Sequence, residues 1–96
     1  MTAPAIDLQS RPEINPLYLL RWEDTQESYV LLYPEGVVKL NQTAGEILKR
    51  CSGESTIDEL IAAMGRLFDE PREGVSAGVC KFLEVSYAKG WIRDRA

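Results

Sequence analysis

Val37-Val38-Lys39-Leu40-Asn41-Gln42-Thr43-Ala44-Gly45-Glu46-Ile47-Leu48, followed by Cys51-Ser52-Gly53, is the stretch whose reading decides the fold. A short β-branched run passes almost directly into a helical pattern that stops at a glycine. Thr43 and Glu46 have the spacing of a capping box: the hydroxyl accepts from one free backbone N–H, and the carboxylate reaches back to another. The stretch therefore predicts a strand edge set beside helices, a geometry that can hold an extended peptide. No other part of the chain reads as a site.

Upstream, Leu17 to Trp22 is rich in aliphatic and aromatic residues, and Ser28 to Tyr33 is the clearest strand. Tyr29, Leu31 and Tyr33 would face one way and Val30 and Leu32 the other, as in a central strand covered on both sides. Pro34-Glu35-Gly36 is a tight turn, and Val37 to Leu40 returns as a third strand. Short links of this kind suggest an antiparallel meander. Residues 1–16, with Pro4, Pro12 and Pro16, read as an extended or disordered arm, and residues 17–96 as the domain proper.

Downstream, a first helix is expected from about Ala44 to Cys51. Thr56 and Glu59 make a second capping box, opening a helix that runs to about Phe68 with Ile57, Leu60, Ile61 and Met64 on its apolar face. Pro71 and Glu73 suit the first turn of a third helix, lined by Val75, Val79, Phe82, Leu83 and Ser86 and stopped at Gly90, after which Trp91 and Ile92 fold back. The helices contain Gly45, Gly65 and Gly78, each costing about 1 kcal/mol relative to alanine. Close packing is the simple explanation; a need for backbone movement is the sharper one. The expected fold class is α+β, winged-helix-like, with a three-stranded antiparallel meander followed by three helices.

Composition narrows the function. The chain has 96 residues, 45% of them apolar, enough for one modest core. It has no histidine, which removes the commonest general acid–base and metal ligand. Cys51 and Cys80 form no C-x-x-C and sit on apolar helical faces, as buried thiols do. The acid pairs Asp58/Glu59 and Asp69/Glu70 lie at helix starts, where they serve the dipole, and Glu23/Asp24 lies in a turn. There is no phosphate loop, metal-ligand cluster or nucleophile elbow, so catalysis has little support, and no cofactor or metal is expected. No apolar run approaches transmembrane length and no signal-peptide pattern opens the chain, which predicts a cytoplasmic protein with no membrane partner.

A meander beside three helices raises DNA binding as a rival. The net charge of −4, and a recognition stretch from Val75 to Lys89 without arginine, asparagine or glutamine for base reading, argue against a nucleic-acid partner. Peptide binding fits better. The third strand has one free edge, whose backbone groups can pair with an incoming segment, and Lys39 there guards against self-pairing. Ordering a peptide costs about 1–2 kcal/mol per residue, while each hydrogen bond returns about 0.5–1.5 kcal/mol, so apolar anchors must enter a pocket. Val79, Phe82, Leu83 and Val85 on the third helix either wall such a pocket or fill the core.

The order of short motifs carries a family resemblance: Arg11-Pro12, Asn15-Pro16, Val30-Leu31-Leu32-Tyr33-Pro34-Glu35-Gly36, Leu40-Asn41, Ala44, Ile47-Leu48 and Cys51-Ser52-Gly53. Thr56-Ile57, Glu59-Leu60, Val79, Phe82-Leu83 and Gly90-Trp91-Ile92 follow. Over roughly residues 11–93 the chain resembles the pyrroloquinoline quinone (PQQ) biosynthesis D family, PqqD. One departure is Ser52, where an aspartate is expected before the glycine.

The resemblance implies a precursor-peptide recognition element of ribosomally made, modified peptides: a non-catalytic chaperone. It would bind the PQQ precursor peptide as an added strand and present it to a radical SAM enzyme that joins a glutamate to a tyrosine. It assigns Val37, Val38, Lys39 and Leu40 to backbone pairing with the peptide, and Val79, Phe82 and Val85 to the pocket. Other roles stay open: an assembly subunit for the biosynthetic enzymes, or a carrier of a late quinone intermediate. The apolar faces of Tyr18–Trp22 and Tyr29–Tyr33 could also support a homodimer with exchanged N-terminal arms.

Overall fold

The computed structural model describes residues 6–95. In chain order the elements are β1 (Pro12–Ile14), β2 (Leu19–Glu23), β3 (Ser28–Tyr33), β4 (Gly36–Lys39), α1 (Gln42–Lys49), α2 (Ile57–Leu67), α3 (Arg72–Ala88) and β5 (Ile92–Asp94). β2, β3 and β4 form the antiparallel meander, with β3 in the centre. Leu20, Leu31 and Val38 stand in register across it. Together with Tyr29 they face the helices.

Val30 lies on the opposite face yet is only 4% exposed. Its cross-strand neighbours are Arg21 and Lys39, whose aliphatic stems suit the covering of such a site. Trp22 packs edge-on against Tyr29 with ring centroids 5.0 Å apart. The central strand is thus covered on both sides, which is why its alternation looks blurred in the sequence.

The first helix starts earlier than the sequence suggests, and a different residue caps it. Asn41 is the N-cap, and its side-chain oxygen accepts from the Ala44 N–H at 2.7 Å. Thr43 and Glu46 therefore lie inside α1 and form no capping box; Glu46 pairs instead with Arg50 at 2.7 Å. The second box is present: Thr56 accepts from the Glu59 N–H, and the Glu59 carboxylate accepts from the Thr56 N–H at 2.8 Å.

Two helices end in Schellman turns, where the chain doubles back so that late N–H groups satisfy the last carbonyls. At the end of α3, Gly90 adopts φ +77° while the Gly90 and Trp91 N–H groups donate to Tyr87 and Ser86. At the end of α2, Asp69 takes the left-handed position, and the Asp69 and Glu70 N–H groups donate to Arg66 and Gly65. A Cβ on Gly65 would lie 3.0 Å from the Glu70 carbonyl, so glycine lets this turn close. Pro71 is the N-cap of α3 rather than a first-turn residue.

The stretch read as an arm has structure from residue 6 onward; residues 1–5 lie outside the described region. β1 pairs with β5 in a small second sheet that the sequence reading did not anticipate, reinforced by an Arg93–Glu13 ion pair at 2.8 Å. Ser52, the departure from the family pattern, bridges to Glu13 on β1 and lies past the end of α1. The carbonyls of Leu8 and Ser10 accept from the Asp58 and Ile57 N–H groups at the start of α2. The core sits between the meander and the helices, centred on Leu31, Ile47, Leu48, Ile57, Ile61 and Leu83, each at most 1% exposed.

Candidate functional site

β4 pairs with β3 on one side only, so its other edge is open. The register shows which residues offer backbone there. The Leu40 N–H donates to the Tyr29 carbonyl at 3.2 Å. Antiparallel pairing alternates, so Leu40, Val38 and Gly36 direct their backbone groups to β3, and Val37 and Lys39 direct theirs outward. Of the four residues expected to pair with a peptide, Val37 and Lys39 have N–H and C=O groups free for it. Val38 and Leu40 spend theirs on β3. Leu40 also lies beyond the end of β4, and its side chain is buried in the core, 6% exposed.

Where the chain leaves β4 and enters α1, the helices enclose a groove of about 610 Å3. That volume falls within the range of small-ligand and peptide-side-chain pockets, about 300–1,000 Å3. Asn41, Thr43, Ala44 and Ile47 from the start of α1 form the wall next to β4. Met64 and Phe68 close the base from α2. Val75, Gly78, Val79 and Phe82 form the wall from α3, with Glu70 and Gly74 at one end. The surface is mostly apolar, and Glu70 is the charged residue among the lining groups.

The helix packing that creates the groove depends on a glycine. A Cβ on Gly45 would lie 2.7 Å from Tyr29 Cδ2 and 3.0 Å from its Cβ. Glycine at this position therefore lets α1 sit directly on β3 at Tyr29.

Val79 and Phe82 both line the groove, Val79 as buried floor at 3% exposed and Phe82 as a half-buried wall packed 6.4 Å from the Trp91 ring. Val85 does not line it; it is 37% exposed and lies farther along the same side of α3 as Gly78 and Phe82. Leu83, the other candidate, is wholly in the core. The sequence reading missed the α1 and α2 walls. Ile47, Met64 and Phe68 carry the same apolar spacing as any core residue, so their periodicity cannot distinguish groove from core.

Two of the reactive-looking groups are held in their protonated forms. Burial pushes the Cys51 thiol up to about 12, so it stays protonated near neutral pH. Cys80 is half-buried. Burial, and then its hydrogen bond to Asp94, raises the Tyr87 hydroxyl above its ordinary value. Among the described residues, no three of histidine, cysteine, aspartate and glutamate gather to hold a metal ion. No described helix is long and apolar enough to cross a membrane.

Known proteins are similar to this chain in sequence and in fold. The chain is 40% identical over 92 residues to a PqqA binding protein of Pseudomonas aeruginosa, covering 96% of this chain and 97% of that one. It is 38% identical over 82 residues to the PqqA binding protein of Methylococcus capsulatus, covering 85% and 86%. Its fold is similar to the solution NMR structure of the PqqD truncation of Methylobacterium extorquens PqqCD, described as a functional, stand-alone RiPP recognition element. There the TM-score is 0.72 at 23% identity, over 85% of this chain and 87% of that one. Residues 28–92, spanning β3 to the start of β5 and so both walls of the groove, match the family described as Coenzyme PQQ synthesis protein D, and the chain belongs to this PqqD family.

Proposed function

We propose that this protein binds the PQQ precursor peptide, PqqA, as a fourth strand on the open edge of β4. The observation that carries this reading is the adjacency of that edge to the apolar groove. Val37 and Lys39 supply the pairing groups, and every second peptide residue points toward the helices, as Val38 and Leu40 do. Backbone bonds at about 0.5–1.5 kcal/mol each do not offset the ordering of an extended peptide at about 1–2 kcal/mol per residue. Affinity therefore comes from apolar side chains entering the groove, at about 25 cal/mol per Å2 removed from water. The names of the relatives, PqqA binding protein, support the choice of peptide.

In this reading the protein is a non-catalytic adaptor. It holds the peptide extended and presents it to the radical SAM enzyme that joins a glutamate to a tyrosine. The chemistry belongs to that enzyme; this chain binds, orients and keeps the peptide from collapsing.

The test is calorimetric titration with synthetic PqqA at two salt concentrations. One-to-one binding with a negative heat-capacity change is expected, as for an apolar groove. Lys39→Pro removes an outward donor without touching the β3 pairing, and should weaken binding with the circular dichroism spectrum intact. Val38→Pro is the poorer test, because its N–H faces β3 and its loss would unsettle the sheet. Absence of binding by the folded wild-type protein, with retained capture of the radical SAM enzyme, would replace this reading with an assembly role.

A further inference from the structure

Gly78 has no internal explanation. Gly45 and Gly65 are each held by a contact that a methyl group would break, but a Cβ on Gly78 would meet nothing within 4 Å. The residue is exposed in the middle of α3, where glycine weakens the helix relative to alanine. It also lies on the groove wall, between Val75 and Phe82 along the same strip of the helix. Gly74, at the end of the groove, has the Glu70 carboxylate 3.2 Å from where its Cβ would stand, whereas at Gly78, in the middle of the wall, the chain gives up helix stability and its own packing gains nothing in return.

We propose that Gly78 is the point of closest approach for the bound peptide, where one large apolar side chain lies directly on the backbone of α3. This rests on the peptide reading above and adds a specificity residue to it. The side chain comes from a peptide position directed inward, on the same face of the extended sheet as Val38 and Leu40. Val75 and Phe82 flank it along the helix, about 10 Å apart at 1.5 Å rise per residue, and Ile47 of α1 lines the same groove. A small or charged side chain would leave that apolar gap unfilled or bury a charge in it. An aromatic or large aliphatic side chain fills it, and a methyl group on residue 78 would lift that side chain away.

Because nothing in the free protein opposes a methyl group here, stability and binding should move in opposite directions. Gly78→Ala should melt about a few degrees higher, since alanine favours the helix. It should bind synthetic PqqA about tenfold more weakly, as an overpacked contact does, and Gly78→Leu should bind more weakly still. Ala77→Gly, an exposed neighbour outside the groove lining, should melt lower and bind as the wild type does.

PqqA variants with each large apolar residue cut to alanine then locate the contact. At one position the peptide truncation and Gly78→Ala should each weaken binding, yet together weaken it little more than either alone. Gly78→Ala that binds as tightly as wild type, while Lys39→Pro still loses the peptide, overturns the assignment of Gly78 and leaves strand addition standing. Wild-type protein that does not bind PqqA at all overturns both.

Discussion

Two helices begin near the same pattern, Thr-x-x-Glu, and the pattern caps only one of them. At the start of α2 every early donor is satisfied. The Ile57 and Asp58 N–H groups donate to Ser10 and Leu8, the Glu59 N–H donates to the Thr56 hydroxyl, and the Thr56 N–H donates to Glu59. At the start of α1 the Asn41 side chain satisfies Ala44, and the Gln42 and Thr43 N–H groups have no partner among the described residues. The closed start is tied down by the N-terminal segment. The open start stands at the groove, next to the free edge of β4. The same local motif thus lies once within sealed structure and once beside the surface where a partner would arrive, and only the surroundings separate the two.

The largest test of this contrast removes what closes α2. Deleting residues 1–10 takes away the Leu8 and Ser10 carbonyls and the half-buried side chains of Ile6 and Leu8, which pack against the core. The expected loss is about 2–4 kcal/mol of unfolding free energy, from lost hydrogen bonds and apolar burial together. Denaturant titration of the shortened chain measures it. A shortened chain as stable as the full one would mean that the segment does not hold α2 and that the closed start is closed by its own capping box.

A smaller and more pointed test separates the caps. Thr56→Ala should cost about 1 kcal/mol and Asn41→Ala about the same, because each removes a side-chain acceptor from a helix start. Thr43→Ala should stay within about 0.5 kcal/mol, because its hydroxyl caps nothing in α1. Equal costs at Thr43 and Thr56, read from denaturant midpoints, would restore the capping box that the sequence suggests at residues 43–46.

These substitutions also mark how far the sequence could be read. The meander, the helix order and the free edge of β4 follow from strands set by short turns, and those signals are local. The start of α1 misled because Asn41 and Thr43 are both good caps two residues apart; the choice depends on where β4 lets go of β3, which is a tertiary fact. The β1–β5 pair was illegible for a related reason: three-residue strands eighty residues apart have no pattern of their own, and Pro12 reads as a breaker until its partner is known. At the site, Val79 and Phe82 could be picked out as apolar positions of α3, but not the wall from Ile47 and Phe68. Val85 and Leu83 show why, since both are apolar and two positions apart, and one is 37% exposed while the other is fully buried. Gly78 was visible as an interior glycine, and only the empty space around it separates it from Gly45.

The finest test of the closed start is its response to acid. The Glu59 carboxyl is held below its ordinary value of 4.5, first by the hydrogen bond from the Thr56 N–H and then by the one from the Thr56 hydroxyl. A carboxylate depressed in the folded state adds stability that is present above its unfolded value and is lost as the pH falls through its folded one. The wild-type denaturant midpoint should therefore carry a small decline through this group from about pH 4.5 downward. Glu59→Gln retains an acceptor for the Thr56 N–H, since glutamine serves in the same box, but cannot titrate. Its midpoint should lie slightly below wild type near neutral pH, and the difference should shrink as the solution is acidified. Thr56→Ala loses the hydroxyl and keeps the backbone N–H, so most of the acid-dependent decline should survive in it even though its stability is lower throughout. If Thr56→Ala abolished the decline as completely as Glu59→Gln does, the hydroxyl rather than the backbone would be the group that holds the Glu59 charge.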